Sequence, residues 1–197
     1  MRLLVAISGA SGAIYGIRML EVLRPLADIE VHLVVSPSAR ETIRLETGRA
    51  AREVEALADV VHRHGDVAAA PSSGSFRLDA MAVVPCSMST LAAIAHGVGD
   101  NLLVRAADVT LKERRPLLLA PRETPLHLGH LRAMVRVAEL GAIVAPPVPA
   151  FYHRPATIED IVDQTVNRLL DQLRIELPQD LFQRWSGGRA ARGEREA

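Results

Sequence analysis

The sequence predicts an α/β protein with three layers, in which helices cover both faces of a doubly wound, mostly parallel β-sheet. Short apolar runs rich in β-branched residues alternate with longer segments whose apolar residues have helical spacing. Most of these runs end in a loop of small, hydroxyl-bearing or proline residues, which is typical of strand ends in such sheets. The length of 197 residues is enough for one domain of this kind with a substantial core.

A turn of small residues separates the first predicted strand from the first predicted helix. Residues 3–7 form a continuous apolar run, as in a strand that is buried on both faces. Residues 8–13 are all Ser, Gly or Ala, and Ile14, Ile17 and Leu20 then recur at helical spacing. Backbone N–H groups at such a turn can approach a phosphate, so the turn is either a phosphate cradle or a plain tight turn. It has neither the G-x-G-x-x-G pattern of a dinucleotide site nor the Lys-Ser/Thr of a P-loop.

Four further apolar runs predict strands at residues 30–35, 80–84, 116–120 and 142–145. A helix is expected after each of them: through Leu45, over about residues 91–95, from about Leu126 to a C-capping Gly141, and from Thr157 onward. Right-handed crossovers place the carboxyl ends of the strands at one edge of the sheet, where such folds bind ligands. The residues just past these ends offer hydroxyls and one cation: Ser11, Ser36, Ser87, Ser89, Thr90 and Arg122.

The last predicted helix has a clear start and a wide apolar stripe. Thr157 is a candidate N-cap with Asp160 three residues later. The stripe consists of Ile158, Ile161, Val162, Val166, Leu169, Leu170 and Leu173. Arg168 falls just outside the stripe, so it either extends along the core toward the sheet edge or lies on a solvated rim.

Composition excludes several classes of function. Lys+Arg and Asp+Glu both number 23, so the basic surplus of a nucleic-acid-binding protein is absent. No apolar run approaches the roughly 20 residues needed to cross a bilayer, and the first residues lack the pattern of a signal peptide. Cys86 is the only cysteine and is interpreted as a buried small residue. These observations predict a cytoplasmic protein without nucleic-acid or membrane partners.

Charged residues cluster before and after the fourth predicted strand. Lys112 is the only lysine, and it stands either where a guanidinium does not fit or on a solvated face by chance. It belongs to a basic segment, residues 101–116, whose default interpretation is a solvated helix face. Arg122 and Glu123 follow the strand, and together they either hold a phosphate and move a proton or form a structural ion pair.

Residues 151–154, Phe-Tyr-His-Arg, form an aromatic loop after the fifth strand. The Tyr152 hydroxyl can bind a phosphate, and an aromatic face can shelter an allyl cation. His153 is either a base or a structural residue. His127 and His130 with Glu123 lack the H-E-x-x-H arrangement, so no metal site is predicted. We expect one domain over residues 1–186 and a disordered tail over residues 187–197, which are rich in Gly, Arg and Glu.

Six stretches jointly resemble the flavin prenyltransferase family, the UbiX-type proteins once described as aromatic-acid decarboxylases. They are residues 8–16, 85–91, 105–109, 111–116, 121–125 and 149–155, and the resemblance covers about residues 3–185. It implies a Rossmann-like flavoprotein fold. It also implies that the chain binds reduced FMN as a substrate together with dimethylallyl phosphate. Proteins of this family join the dimethylallyl group to N5 and then C6 of the flavin without a metal.

The resemblance further implies partners and residue roles. The prenylated FMN would serve a UbiD-type decarboxylase, and the chain would form a homo-oligomer, a dodecamer, whose neighbouring subunits share site residues. FMN would be held by Gly9, Ala10, Ser11, Ser36, Ser87, Met88, Ser89, Thr90 and Arg122. Dimethylallyl phosphate would be held by Tyr152 and Arg168, with Lys112 near the phosphate and with Arg105 and Trp185 lining the site. The catalytic set would be Glu123 as acid and base, Ser11 as a proton relay, Lys112 and Tyr152.

Two other functions stay open at this point. One is an FMN-dependent cysteine decarboxylase of the phosphopantothenoylcysteine type, but the first helix lacks its histidine and residues 85–90 lack its Asn-Met motif. The other is a non-catalytic flavin carrier, which would leave Lys112, Glu123 and Arg168 without a chemical task.

Overall fold

The computed structural model describes residues 1–187. The chain divides into two compact units, Met1–Pro147 and a second unit that begins at Val148. One domain over residues 1–186 stays a prediction. The predicted disordered tail, residues 187–197, lies outside the described residues except for Gly187.

The first unit contains a six-stranded sheet in which every pair of neighbouring strands is parallel. The strands are β1 (Arg2–Ile7), β2 (Glu30–Val35), β3 (Val60–His62), β4 (Ala80–Cys86), β5 (Leu117–Pro121) and β6 (Ile143–Val144), in the order β3-β2-β1-β4-β5-β6. The chain moves outward from β1 in one direction and from β4 in the other, so right-handed crossovers place helices on both faces. The predicted α/β class is confirmed, with a wholly parallel sheet.

Six helices connect the strands of the first unit, and one belongs to the second unit. They are α1 (Ala13–Leu23), α2 (Pro37–Thr47), α3 (Ala51–Glu55), α4 (Met88–His96), α5 (Leu102–Lys112), α6 (Leu128–Glu139) and, in the second unit, α7 (Ile158–Gln172). Gly141 follows α6 with φ 102°, as expected of a glycine that ends a helix. Thr157 caps α7, and Asp160 completes the predicted capping box. Among residues 1–187, no helix combines the length and apolar character needed to cross a membrane.

The core lies around the two central strands. The five residues of β1 from Leu3 to Ile7 are fully buried, as the continuous apolar run predicts for a strand covered on both faces. Helix α1 packs closely on β4 at Gly16, where a Cβ atom would lie 2.2 Å from the carbonyl oxygen of Val84. This close contact fixes α1, and therefore the loop that precedes it, against the centre of the sheet.

Two elements differ from the sequence-based expectation. Strand β3 is not predicted, because three partly exposed residues are too short to show a period. A solvated helix face is expected over residues 101–116, and only the charged side of α5 matches this expectation. Its other side is part of the core, with the buried residues Leu102, Leu103, Val104, Ala106, Ala107, Val109 and Thr110.

A pair of histidines joins β2 to β3. Nδ1 of His32 lies 2.8 Å from Nε2 of His62, and the two rings are stacked with centroids 5.1 Å apart. Burial lowers the pKa of both imidazoles. For His32 the carboxylate of Glu30 opposes this shift in pKa, and for His62 the neighbouring His32 adds to it. The folded chain therefore favours the neutral form of the pair.

We expect the free energy of unfolding to decrease as the pH falls below 6.5, the ordinary imidazole value. The unfolded chain binds protons at that pH while the folded chain does not. The stability present above this pH is therefore lost as the pH falls toward the lowered pKa values of the folded chain. The loss approaches about 1.4 kcal/mol per pH unit for each group. Urea unfolding at about pH 7.5 and about pH 5.5 measures it.

Two glutamine variants test whether this pH dependence of stability comes from the His32–His62 pair. His62→Gln removes one member of the pair and is expected to reduce the pH dependence. His96 is exposed, so His96→Gln is expected to retain it. Equal pH dependence in the two variants would contradict the role of the buried pair.

Candidate active site

One buried hydroxyl joins the carboxyl ends of β1 and β4. Ser8 follows β1 directly and is 1% exposed. Its Oγ donates to the carbonyl of Pro85 over 3.0 Å and accepts the N–H of Ser87 over 2.7 Å. The chain leaves β1 and β4 in opposite directions. These bonds therefore hold together the two loops that flank the crevice where doubly wound sheets bind ligands.

The loop after β1 lies against the loop after β2. A Cβ atom on Gly9 would lie 2.2 Å from Oγ of Ser38, so this position requires glycine. Ala10 is nearly buried, whereas Ser11 is exposed and offers its hydroxyl at the sheet edge. The predicted residues of this loop are thus brought to the expected edge.

A carboxylate from α2 occupies the N-terminus of α1. Glu46 accepts the N–H groups of Gly12 and Ala13 over 2.9 and 3.0 Å, and it hydrogen-bonds to Ser11. Partial burial raises the pKa of Glu46, but these hydrogen bonds and the charge of Arg122 outweigh that effect and lower the pKa below its ordinary value. The cradle expected to hold a phosphate is therefore filled by a charged side chain of the protein itself.

The loops after β2 and β4 present hydroxyls that cap helices. Ser36 is 7% exposed, and its Oγ accepts the N–H of Ala39 over 3.1 Å. Ser87 caps α4 by accepting the N–H of Thr90 over 3.2 Å, and its hydroxyl donates to Thr90 Oγ1 over 3.0 Å. Met88 is buried behind this cap and Ser89 is exposed. The structure thus brings the predicted residues of three loops to one edge of the sheet.

Arg122 joins this edge from the loop after β5. Its N–H donates to the carbonyl of Cys86 over 3.1 Å, which places the loop beside β4. Burial raises the pKa of the Tyr15 hydroxyl, and the Arg122 charge partly offsets that rise. The charge of Arg122 lowers the pKa of both Tyr15 and Glu46, so its guanidinium lies near the start of α1. Glu123 is exposed, and its carboxylate accepts the N–H of Thr124 over 3.0 Å.

Lys112 and Arg105 lie elsewhere in the same chain. Helix α5 ends at Lys112, shortly before Pro116, whose carbonyl accepts the N–H of Met81 at the amino end of β4. Lys112 pairs with Glu113, and Arg105 pairs with Asp108 over 2.7 Å. In the described part of the chain, neither cation hydrogen-bonds to the loops at the carboxyl edge. Lys112 therefore lies at the opposite edge of its own sheet.

The remaining candidates of the first unit have structural roles. Nδ1 of His127 accepts the N–H groups of Gly129 and His130 and so caps α6. Within residues 1–187 no group of three or more His, Cys, Asp or Glu side chains is arranged to hold a metal ion. Cys86 is fully buried, as predicted, and burial raises the pKa of its thiol.

The second unit contains a cavity of about 640 Å³ with aromatic and cationic walls. It is lined by Tyr152, Gln164, Arg168, Phe182, Arg184 and Trp185. The ring of Tyr152 meets those of Trp185 and Phe182 edge to face, with centroids 5.8 and 6.4 Å apart. His153 packs between Tyr152 and Phe182, so the loop histidine belongs to this aromatic cluster. The predicted Tyr152, Arg168 and Trp185 are thus brought together.

Sequence reasoning missed residues in both units. In the first unit these are Ser38 and Glu46. A second hydroxyl after Ser36 is a local signal for Ser38, but the contact of Glu46 with Gly12 spans 34 residues and has none. In the second unit they are Phe182 and Arg184, which lie next to Trp185 and follow no helical or strand period.

Comparison with known proteins shows the family. The Flavoprotein family model matches residues 1–170. A flavin prenyltransferase UbiX of Escherichia coli (strain K12) is 62% identical over 186 residues, which cover 94% of this chain and 98% of that protein. One from Thauera aromatica is 54% identical over 187 residues, covering 95% of each chain. The chain belongs to the flavin prenyltransferase family.

Solved structures of relatives have the same fold. A dodecameric FMN-dependent UbiX-like decarboxylase from Escherichia coli O157:H7 superposes with a TM-score of 0.91 at 50% identity, covering 95% of this chain and 100% of that chain. AnUbiX (PadA1), in complex with FMN and dimethylallyl pyrophosphate, has a TM-score of 0.90 at 53% identity and covers 94% of this prenyltransferase and 97% of that chain. The FMN-dependent cysteine decarboxylase TvaF is only 20% identical with a TM-score of 0.62, so it shares the fold alone.

Ser8→Ala is expected to destabilise the flavin prenyltransferase by about 1–3 kcal/mol, because the partly buried N–H of Ser87 would lose its partner. The backbone N–H of residue 8 would still donate to the carbonyl of Pro85, but the link to Ser87 would be lost, which weakens the binding of any ligand between the loops after β1 and β4. Urea unfolding and FMN titration measure the two effects. Ser75→Ala, at an exposed position, is the matched control and should change stability by less than about 0.5 kcal/mol. Equal stability of the two variants would contradict the role of Ser8.

Proposed function

We propose that this flavin prenyltransferase joins the dimethylallyl group of dimethylallyl phosphate to N5 and then C6 of reduced FMN. The observation that carries the proposal is the cavity of the second unit, where two guanidinium groups and a tyrosine hydroxyl lie among three aromatic rings. Cations suit a phosphate, and aromatic faces suit an allyl group that develops positive charge. The relative of 53% identity in complex with FMN and dimethylallyl pyrophosphate supports FMN and a dimethylallyl ester of phosphoric acid as the substrate classes.

The loops at the sheet edge fit a flavin mononucleotide. Gly9 carries no side chain where a Cβ would collide with Ser38, and the hydroxyls of these loops and the Arg122 guanidinium offer partners for one phosphate. We assign FMN to Gly9, Ala10, Ser11, Ser36, Ser87, Met88, Ser89, Thr90 and Arg122. The α1 N-terminus is held by Glu46, so the phosphate falls to Ser36 and Arg122 in this assignment. When bound, reduced FMN supplies the nucleophilic N5 and C6 atoms.

The residues of the cavity assist departure of the phosphate. The bond between the allylic carbon and the phosphate oxygen breaks, and the phosphate leaves with the electron pair. Arg168 and the Tyr152 hydroxyl stabilise the negative charge that develops there, while Tyr152 and Trp185 shelter the positive allyl group. Preorganised charges of this kind usually supply the largest catalytic effect. Lys112 and Arg105 are assigned to the same phosphate and to the lining of the site.

The proposal also requires groups that move protons, because N5 and C6 each lose a proton when they are alkylated, and the double bond of the transferred group takes up one proton before C6 bonds to it. We assign acid and base roles to Glu123, which is exposed at the sheet edge. Ser11 relays a proton, and its hydrogen bond to Glu46 adds a second carboxylate to that path. The lowered pKa of Glu46 keeps this carboxylate ionised, so it accepts a hydrogen bond from the Ser11 hydroxyl and orients it.

A homo-oligomer, a dodecamer, is part of the proposal. A relative of 50% identity is dodecameric. Lys112 lies at the edge of its own sheet opposite the loops assigned to FMN. Because the prenyl donor has to meet FMN, a role of Lys112 at the donor phosphate calls for a neighbouring subunit. Helix α6 also exposes an apolar row of Leu128, Leu131 and Val135, which suits contact with another copy. Delivery of prenylated FMN to a UbiD-type decarboxylase belongs to the proposal as well, and so does the cytoplasmic location predicted from the single cysteine.

Mass spectrometry of the flavin tests the function. The protein is incubated without oxygen with FMN, a reductant and dimethylallyl phosphate. We expect a flavin heavier by one C5H8 unit, and the same mixture without protein is the control. Recovery of unmodified FMN would contradict the proposal, and it is the result that a flavin carrier or a cysteine decarboxylase would give.

Glu123→Gln is expected to slow formation of the prenylated flavin by about 10²–10⁴-fold, the usual contribution of a positioned acid or base. The amide keeps an oxygen that can accept the N–H of Thr124, so stability should change by no more than about 1 kcal/mol. Binding of FMN should stay the same. Glu139→Gln, an exposed position on α6, is the matched control. Wild-type turnover in Glu123→Gln would show that protons move through Ser11 or through the phosphate instead.

A further inference from the structure

One wall of the donor cavity is a stretch of chain without regular structure. Residues 180–185, here named the C-terminal segment, follow α7 and belong to neither a helix nor a strand. This segment contributes Phe182, Arg184 and Trp185 to the cavity, while α7 contributes Gln164 and Arg168. The shape of the cavity therefore depends on what fastens the C-terminal segment to α7.

Two polar side chains of α7 fasten it. Asn167, which is 1% exposed, accepts the N–H of Leu181 over 2.8 Å. Asp171 accepts two hydrogen bonds from the guanidinium of Arg184, over 2.8 and 2.9 Å. The same guanidinium donates twice to Asp180, both times over 2.6 Å. Arg184 thus forms four hydrogen bonds, two to Asp180 within the C-terminal segment and two to Asp171 on α7.

Asp171 also holds the arginine assigned to the phosphate. Its Oδ2 accepts from NH1 of Arg168 over 2.7 Å and from NH1 of Arg184 over 2.8 Å, and its Oδ1 accepts from Asn167 over 3.3 Å. A guanidinium has five N–H donors, so Arg168 can keep this bond and still donate to a phosphate. One carboxylate therefore sets the direction of Arg168 and separates two cations that would otherwise repel each other.

We propose that Asp171 and Arg184 are positioning residues for the prenyl donor: Asp171 orients Arg168 toward the cavity, and Arg184 fastens the segment that carries Trp185. The proposal rests on the proposed function for the identity of the ligand, an allylic phosphate ester. Neither residue needs to touch that ligand. The hydrogen bonds from Arg184, and then those from Arg168, lower the pKa of Asp171, so this carboxylate remains charged.

Trp185 provides a direct readout because it is the only tryptophan of the chain. Asp171→Asn removes the charge that both guanidinium groups bind. Arg184→Lys keeps a positive charge, but an ammonium cannot form the fork between two carboxylates. We expect both variants to lower the fluorescence anisotropy of Trp185. We also expect them to raise the KM for dimethylallyl phosphate by about tenfold or more, with unchanged affinity for FMN.

Two further variants separate positioning from general damage. Glu176→Gln changes an exposed acid between α7 and the C-terminal segment and should match the wild type in anisotropy and KM. Arg168→Ala removes the assigned phosphate ligand and should raise the KM while leaving the anisotropy unchanged. A variant that is merely partly unfolded loses active protein, which lowers kcat and leaves the KM as it was.

Wild-type anisotropy and KM in both Asp171→Asn and Arg184→Lys would overturn the proposal. Its failure can be told apart from failure of the proposed function. If the wild type forms no prenylated flavin, the proposed function is wrong, and the anisotropy of the variants still decides whether Asp171 and Arg184 fasten the segment. If the wild type turns over normally and the variants match it, only the positioning proposal is wrong.

Discussion

The hydroxyl of Ser8 connects the loops after β1 and β4, and the arrangement of the loops at the carboxyl edge of the sheet depends on this connection. A hydroxyl can donate and accept at the same time, so one small side chain satisfies both the carbonyl of Pro85 and the N–H of Ser87. The carbonyl of Pro85 also accepts the backbone N–H of Ser8 over 3.2 Å, so the hydroxyl strengthens this contact and extends it to Ser87. The contact of Gly9 with Ser38 adds the loop after β2, and the hydrogen bond from Arg122 to Cys86 adds the loop after β5. The loops of four strands therefore share one fixed centre.

A negative charge of the protein itself occupies one of the anion-binding positions at this edge of the sheet. Glu46 already occupies the positive end of α1, where flavin- and nucleotide-binding folds commonly hold a phosphate. In the proposed function this leaves the phosphate of FMN to hydroxyls and Arg122, and it places an ionised carboxylate next to Ser11. In the proposed function, the carboxylate of Glu46 thus takes the place of a phosphate at the start of α1 and also accepts a hydrogen bond from Ser11.

In the second unit, two guanidinium groups, those of Arg168 and Arg184, line the same cavity. The guanidinium groups of Arg168 and Arg184 are half-exposed, and the carboxylate of Asp171 between them offsets their mutual repulsion. The arginine that remains directed into the cavity is held by a single bond, and the arginine of the C-terminal segment is held by four. This difference suits one group for a ligand and the other for a structural role.

The sequence by itself determined the fold class, five of the six strands and the family. Continuous apolar runs reveal strands buried on both faces, and the loops that follow them carry short motifs whose spacing is local. It also predicts site residues: Arg122 and Tyr152 lie in such motifs, whereas Arg168 is predicted from helical spacing and the family resemblance, and Trp185 from the resemblance alone. Only the tertiary structure decided the contacts of Glu46, Asp171 and Arg184 and the position of Lys112 at the amino edge of its sheet. Their contacts join residues distant in the chain or in segments without a period, and no local pattern encodes which charges meet.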